Sequence, residues 1–462
     1  MKISVIGAGY LGTVHAATLA HLGHDVVGLD TDALRIAHLE SGNAPFYEPG
    51  LAELLEQGRH NGRLRFTTDP GELAQAQVHF LCVGTPQSKT GNDSDLSFLF
   101  SAIETLVPFV RADAVVVGKS TVPVGTAAQV QEMIAGTGAA LIWNPEFLRQ
   151  GTAVQDSLVP DRLVYGLLDG TLQSSARAML DAVYAPLLAR GTPQVLTNFA
   201  TAELIKVSAN AFLALKLSYI NAVGEFCEQV GADVVALQQA LGHDERIGGK
   251  YFHAGVGFGG GCLPKDLRSF RVQAQRHGIE SLDEMLSLVD GINADARFRV
   301  AETAVGLCGG SVRGLRITIL GASFKPNTDD IRDSPALDVA VQLAAQGARV
   351  SVTDPQAVDS AWLQYPQLSF ESDVFAALRG AELVLLLTQW PEFVSLDPRK
   401  AAAAVQRPVI VDGRNALDAR SWQEAGWDYH GVGRGSDQVV GPAVEKWAPA
   451  SGANIASNQF AL

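Results

Sequence analysis

The chain has 462 residues, which suits two or three domains with sizeable cores better than one ordinary domain. Its 35 basic and 49 acidic residues give a net charge of −14 with no lysine/arginine block, which argues against nucleic acid or an anionic membrane as partner. Cys82, Cys227, Cys262 and Cys308 are scattered without a C-x-x-C pair or zinc spacing, so neither a disulfide framework nor a metal site is expected. A reduced, cytoplasmic setting without a leader peptide is the expectation.

The first apolar run, Lys2-Ile3-Ser4-Val5-Ile6, reads as a strand. Gly7-Ala8-Gly9-Tyr10-Leu11-Gly12 follows, then a helical pattern through Val14, Ala17, Leu19 and Leu22, then a second strand ending at Asp30. Strand, G-x-G-x-x-G, helix, strand and an acid roughly 20 residues on form the dinucleotide fingerprint in its proper context. The glycines permit a tight turn, close approach of a pyrophosphate and packing of helix on strand, and the helix N-terminus favours the anion. Asp30 is expected to bind a ribose 2′-hydroxyl and repel a 2′-phosphate, which selects NAD over NADP. Arg35 nearby is a cation that could accept a phosphate instead.

Further strands are expected over 78–83, 114–118 and 140–143, alternating with helical patterns. That rhythm predicts a doubly wound parallel sheet with ligands at the carboxyl ends of its strands. The segments that follow these strands are polar or turn-forming: Gly84-Thr85-Pro86, Lys119 to Pro123, and Asn144-Pro145-Glu146-Phe147-Leu148.

The period turns helical over 201–228, with no proline for nearly 30 residues. This predicts a long helix between domains. Gly257 to Gly261 then leads into Cys262-Leu263-Pro264-Lys265-Asp266. A cysteine behind a glycine run, with a cation and a carboxylate close in sequence, suits nucleophilic attack on a carbonyl. A glycine-rich turn beside a core cysteine fits the same residues. A second helical stretch follows over 282–307. Near Leu315 the strand/helix rhythm restarts without a full fingerprint, with strands over 316–321 and 348–354 and a helix over 335–346. The expected fold is therefore α/β, two Rossmann-like doubly wound domains joined by a long central helix. The expected regions are 1–198, 199–310 and 311–450, with a disordered tail over 451–462.

These motifs, in order GAGYLG, FYEPGL, VGTP, KSTVPVGT, NPEFLRQG, KVSAN, GFGGGCLPKD, GASFKPNTDDIRDSPA and DGRN, resemble those of the UDP-glucose/GDP-mannose dehydrogenase family. The resemblance implies oxidation of a primary alcohol to a carboxylate with two NAD, through a cysteine thiohemiacetal and thioester. It implies UDP-glucose giving UDP-glucuronate, with GDP-mannose as the alternative, since Leu263-Pro264 occurs in that branch too. It makes Cys262 the nucleophile, Lys206 an oxyanion stabiliser, Asn210 a substrate or water contact, and Glu146 the base for hydrolysis. Thr121 and Asp266 would position water. Substrate contacts implied are Glu146, Phe147, Leu148, Arg149, Lys206, Asn210, Arg246, Tyr251, Gly255, Phe258, Gly259, Phe324, Lys325 and Arg414. Cofactor contacts implied are Gly7, Gly9, Tyr10, Leu11, Gly12, Asp30, Arg35, Thr85, Pro86, Thr121, Lys265 and Arg332. Arg246 matches an arginine that reaches a neighbouring subunit, so a homodimer or higher homo-oligomer is expected. Gln150 stands where many relatives carry glutamate, and an amide cannot act as a second base.

Overall fold

The computed structural model describes residues 1–168 and 175–435. Eight strands form the first sheet: β1 (Lys2–Ile6), β2 (Asp25–Leu29), β3 (Leu64–Thr67), β4 (Val78–Leu81), β5 (Val115–Gly118), β6 (Ala140–Trp143), β7 (Leu163–Leu167) and β8 (Gln194–Asn198). Their order is β3-β2-β1-β4-β5-β6-β7-β8. The central strands are largely apolar because helices cover both faces, and the buried polar pair Ser4 and His79 is satisfied by its own hydrogen bond at 2.7 Å. Successive residues alternate between two apolar clusters: Val5, Phe80 and Val117 enter one, Ile6, Leu81 and Val116 the other.

The second sheet contains β9 (Arg316–Leu320), β10 (Arg349–Thr353), β11 (Ser369–Glu371), β12 (Leu383–Leu386), β13 (Val409–Asp412) and β14 (Asp428–Gly431), in order β11-β10-β9-β12-β13-β14. All its pairs are parallel. The strand order reverses between β1 and β4 in one sheet and between β9 and β12 in the other. Each reversal leaves a crevice at the carboxyl ends, where ligands bind in this architecture. The α/β fold with two doubly wound sheets is therefore present.

The first sheet is not wholly parallel, as the strand/helix rhythm had suggested. β6 and β7 meet antiparallel. The chain between them carries only the short helix Ala153–Leu158 and turns back at the carboxyl end of β6. This reversal keeps Asn144 to Gly151 at the carboxyl edge. β3, β7 and β8 were also absent from the pattern reading. β3 and β8 are sheet edges with polar residues, whereas β7 is a buried run.

The 32-residue helix Phe199–Val230 begins on an Asn198 cap, whose side chain accepts from the Thr201 N–H at 2.9 Å. It ends at Gly231, which takes φ 72°, a left-handed C-cap. Helices Leu263–Arg276 and Glu280–Leu307 pack against it. Along the long helix Glu203, Lys206 and Asn210 recur at spacings of three and four, and all three are buried on one face. Phe212, Tyr219 and Phe226 lie seven apart and are exposed. Among the described residues no helix is long and apolar enough to cross a membrane. The expected boundary at 450 and the tail over 451–462 lie outside the described residues.

Candidate active site

At the first crevice, Gly7 has φ 92°, and a Cβ on Gly12 would meet the Gly7 carbonyl oxygen at 1.7 Å. Only glycine lets the helix Tyr10–His21 pack so closely on the turn after β1. Gly9, at the helix N-cap, has nothing within 4 Å of where a Cβ would stand, so its face is open to a ligand. Asp30 directly follows β2, accepts from the Ala8 N–H at 2.8 Å and pairs with Arg35 at 3.0 Å. Arg35 also lies 3.5 Å from Asp32, so two carboxylates compensate its charge. An open helix N-terminus with a carboxylate at the end of β2 fits the pyrophosphate and ribose of NAD. Leu11 packs on the core, and the Tyr10 hydroxyl donates to Glu48. Thr85 and Pro86 follow β4, and the Thr85 hydroxyl donates to the Thr121 carbonyl at 2.6 Å.

Cys262 is exposed and caps the helix Leu263–Arg276, with Pro264 in the first turn. The loop before it is held from three sides. Asn293 grips the Phe258 backbone reciprocally, accepting from its N–H at 2.7 Å and donating to its carbonyl at 3.0 Å. Arg297 donates to the same carbonyl at 2.7 Å, and Arg414 to that of Gly257 at 2.9 Å. A Cβ on Gly257 would stand 2.5 Å from the Asn293 Oδ1, so the clamp requires glycine there. The Arg332 guanidinium lies against Gly261, where a Cβ would meet its carbon at 2.4 Å.

Around the thiol the structure gathers Lys206, Glu146, Asp266, Asn210 and Lys265. Lys206 Nζ sits 2.9 Å from Glu146 Oε1. Asn210 donates to Asp266 Oδ2 at 2.6 Å, and Lys265 pairs with Asp266 Oδ1 at 2.6 Å. Burial pushes the Lys206 ammonium down, but Glu146, Asp266 and Cys262 outweigh it and hold it above the ordinary lysine range. The surrounding protein desolvates the Cys262 sulfur even though part of the residue meets solvent. Desolvation, then Asp266, then Glu146 push the thiol up, and Lys206 and Lys265 pull it down without prevailing. The two lysines therefore do not make the resting sulfur a thiolate by themselves, because desolvation, Asp266 and Glu146 together outweigh them.

Glu146, Phe147, Leu148 and Arg149 line the turn after β6. The Leu148 N–H donates to Glu146 Oε2 at 2.5 Å. Phe147 lies under the Arg162 guanidinium at 3.7 Å and 5.5 Å from Lys206 Nζ. Arg149 forks onto Asp156 at 2.5 and 3.0 Å. The second sheet contributes Phe324 and Lys325 after β9 and Arg414 after β13. Arg414 donates to the carbonyls of Leu387, Gly257 and Phe324 at 2.7, 2.9 and 3.2 Å, so it staples the turns after β9 and β12 to the cysteine loop. Gly255 packs on the Gly413 carbonyl. Phe258 and Gly259 are buried in the loop itself. Tyr251 has φ 55°, a left-handed conformation that costs a bulky residue strain and marks functional segments. Arg246 is remote in chemistry: its side chain is 88% exposed and pairs with Asp244. Arg332 pairs with Asp330, whose other donor is the Gln150 amide at 3.0 Å. A glutamate at 150 would face that carboxylate with like charge.

Several supporting residues escaped the pattern reading. Glu48 is buried and accepts from the N–H groups of Gly151 and Ala153 at 2.6 and 2.7 Å, besides the Tyr10 hydroxyl. Glu203 accepts from those of Gly125 and Ala127 at 2.8 and 2.6 Å and so caps the helix Thr126–Ile134 behind Thr121. Asn293 and Arg297 hold the cysteine loop. The FYEPGL motif pointed at Glu48; nothing local marked the others.

Fold and site together define an NAD-dependent oxidoreductase with a cysteine beside the crevice. Residues 1–188, 200–295 and 318–419 match the NAD binding, central and UDP binding domains of the UDP-glucose/GDP-mannose dehydrogenase family. The chain belongs to that family. It is 39% identical to a UDP-glucose 6-dehydrogenase of Rhizobium meliloti (strain 1021), over 94% of this chain and 100% of that protein. It is 38% identical to the UDP-glucose 6-dehydrogenase TuaD of Bacillus subtilis (strain 168), over 97% and 96%. Among solved structures, a UDP-glucose dehydrogenase from the archaeon Pyrobaculum islandicum superposes with a TM-score of 0.84 at 36% identity, covering 94% of this chain and 98% of that one.

Proposed function

We propose that this chain oxidises UDP-glucose to UDP-glucuronate, in the cytoplasm, with Cys262 as covalent nucleophile. The observation that carries the reading is the convergence of Lys206, Glu146, Asp266 and Asn210 on one exposed cysteine between the carboxyl edges of two doubly wound sheets. The family membership and the named relatives support the substrate. The proposed regions are 1–198 for NAD, 199–310 for the central helices and 311–450 for the nucleotide sugar.

NAD, when bound, supplies the hydride acceptor for both oxidations. Gly7, Gly9, Tyr10, Leu11 and Gly12 would cradle its pyrophosphate, Asp30 its ribose, and Arg35, Thr85, Pro86, Thr121, Lys265 and Arg332 its remaining edges. Lys206 holds positive charge where the alcohol oxygen becomes an alkoxide. Thr121 and Asp266 place water beside the reacting carbon, and Asn210 orients Asp266. Once the alcohol is an aldehyde, the Cys262 sulfur adds to its carbon while the thiol proton passes through water to the aldehyde oxygen, and Lys206 stabilises the negative charge that builds on that oxygen. The second oxidation leaves a thioester on Cys262. Glu146 takes a proton from water as its oxygen attacks the thioester carbon. The C–S bond breaks, the sulfur regains a proton, and the carboxylate leaves. Tyr251, Phe147, Leu148, Arg149, Gly255, Phe258, Gly259, Phe324, Lys325 and Arg414 shape the sugar-nucleotide side. Lys325 and Arg149 offer charge to the pyrophosphate.

The working unit in this reading is a homodimer. Phe212, Tyr219 and Phe226 are 61, 53 and 65% exposed along the central helix, and Leu288 and Phe298 are exposed on the helix Glu280–Leu307. Such a stripe suits a second copy, with Arg246 reaching the neighbouring site. The experiment is a count of NADH formed per sugar consumed with UDP-glucose, GDP-mannose and UDP-N-acetylmannosamine. Two NADH per UDP-glucose, with little turnover of the others, is expected. A ratio of one with free aldehyde accumulating contradicts the thioester, and preference for GDP-mannose contradicts the substrate.

A further inference from the structure

A second recess opens off the turn that carries Glu146. It is a cavity of about 60 Å³ whose lining includes His15, Lys119, Asn144, Glu146, Arg162 and Tyr184. That exceeds the roughly 10–15 Å³ one water needs, so the recess can hold water. Lys119 Nζ donates to Asn144 Oδ1 at 3.1 Å and to the Tyr184 hydroxyl at 3.4 Å, and the Tyr184 hydroxyl donates to the same Asn144 oxygen at 2.8 Å. Lys119 is buried, and among the described residues no carboxylate forms an ion pair with it. An ammonium stripped of water without a counter-ion favours its neutral form. Burial accordingly pulls Lys119 down to about 8, with Cys82 and Glu146 opposing and Lys206 adding to the fall. His15, also buried, has no hydrogen-bond partner at Nε2 among the described residues.

The groups around Lys119 leave it as the amine able to exchange protons. His15, from the helix Tyr10–His21, is held neutral by burial and then by Lys119. Cys82, after β4, is pushed up to about 12 and stays a thiol. Tyr184 is pushed up by burial and stays a phenol. Lys206, on the central helix, is committed to Glu146. Asp156, Asp161 and Arg162 line the cavity from the segment before β7, with Asp156 engaged by Arg149.

We propose that this cavity is a water-filled proton chamber in which Lys119 accepts the proton that Glu146 gains during thioester hydrolysis. The inference rests on Glu146 acting as the base. Hydrolysis converts thioester and water into carboxylate, thiol and one surplus proton. That proton passes from the Glu146 carboxyl through cavity water to the neutral Lys119 amine. The ammonium then releases it through the same water to solvent. No electrons move, and each bond broken to hydrogen is matched by one formed.

Lys119 is thus a proton-relay residue that acts through Glu146, and its role separates hydrolysis from the oxidations. In Lys119→Met the two oxidations remain fast, so rapid mixing shows a burst of two NADH per site. Steady-state kcat falls at least about tenfold, and KM for UDP-glucose stays within about twofold. In Lys119→Ala, added methylamine restores kcat in proportion to its unprotonated form. Lys119→Arg keeps the donors but cannot lose its proton. It folds as the native chain by thermal melting and hydrolyses as slowly as Lys119→Met. Native kcat rises with pH as Lys119 loses its proton, and the arginine variant lacks that limb. Native turnover in Lys119→Arg, or equal loss of burst and steady state without amine rescue, overturns the proposal. Glu146→Gln run alongside separates the two readings: full turnover there removes the base itself, whereas slow Glu146→Gln with normal Lys119→Arg removes only the relay.

Discussion

Lys206 Nζ lies 2.9 Å from Glu146 Oε1, and that one contact ties the central helix to the turn after β6. Both side chains are largely buried, at 6 and 14% exposure. Each therefore depends on the other to offset its desolvation. Removing one partner of such a pair costs about 3–5 kcal/mol. Lys206→Met is expected to lose stability of that order in chemical denaturation. It also loses the oxyanion's cation and falls about 10²- to 10³-fold in turnover. Unchanged stability in this variant would place the pair in solvent.

The Cys262 thiol is held up by desolvation and then by Asp266 more than it is pulled down by its lysines. Its alkylation by iodoacetamide in the free enzyme is therefore expected to rise with pH through and beyond the ordinary cysteine range. Asp266→Asn removes a negative charge, stabilises the thiolate and speeds alkylation at pH 7.5. Lys206→Met removes a positive one and slows it. The reverse order would mean that the lysines control the sulfur.

Asp30 is expected to select NAD over NADP. A 2′-phosphate there meets like charge and loses a hydrogen bond, a penalty of about 2 kcal/mol, or roughly 30-fold. The expected specificity constant for NAD exceeds that for NADP by at least that factor, and Asp30→Ser narrows the gap. Equal constants in the native chain would show that Arg35 governs the pocket despite its two carboxylate partners.

Asn293 never meets the reacting atoms in this account, yet it fixes the loop that carries them. Asn293→Ala orphans the buried Phe258 N–H, at a cost of about 1–3 kcal/mol. Turnover is expected to fall by more than NAD affinity, which calorimetry reads separately. Asn293→Asp keeps the acceptor and recovers part of the loss in stability. Equal losses of NAD affinity and turnover would show that the clamp shapes the whole interdomain region.

What the sequence made legible follows distance along the chain. The turn through Gly7, Gly9 and Gly12, with Asp30 beyond it, is a local device, and its spacing alone dictates its geometry. Cys262 announced itself through its glycines and its neighbours Lys265 and Asp266. Lys206 was placed by resemblance, since a lysine on a helix reads as solvated until the sheet packed over it is known. Asn293 and Glu203 act on backbone 35 and 78 residues away, so no local pattern could expose them. The antiparallel β7 escaped because a buried run shows no strand direction. The Cys262 thiol is pushed up by desolvation, then by Asp266 four residues on, then by Glu146 from the turn after β6; of these only Asp266 was close enough along the chain to be legible.

The central claim is that one sulfur carries the sugar between its two oxidations. Cys82 and Cys227 are buried and Cys308 half-buried, whereas Cys262 is exposed. Native enzyme mixed with NAD and UDP-glucose, quenched in acid within one turnover, is measured by intact mass and peptide mapping. A sugar-nucleotide adduct is expected on the Cys262 peptide alone. In parallel, Cys262→Ser binds both ligands but nearly stops forming NADH, and the serine variants at 82, 227 and 308 stay active. A Cys262→Ser enzyme that turns over at the native rate, with no adduct on the native peptide, would contradict it.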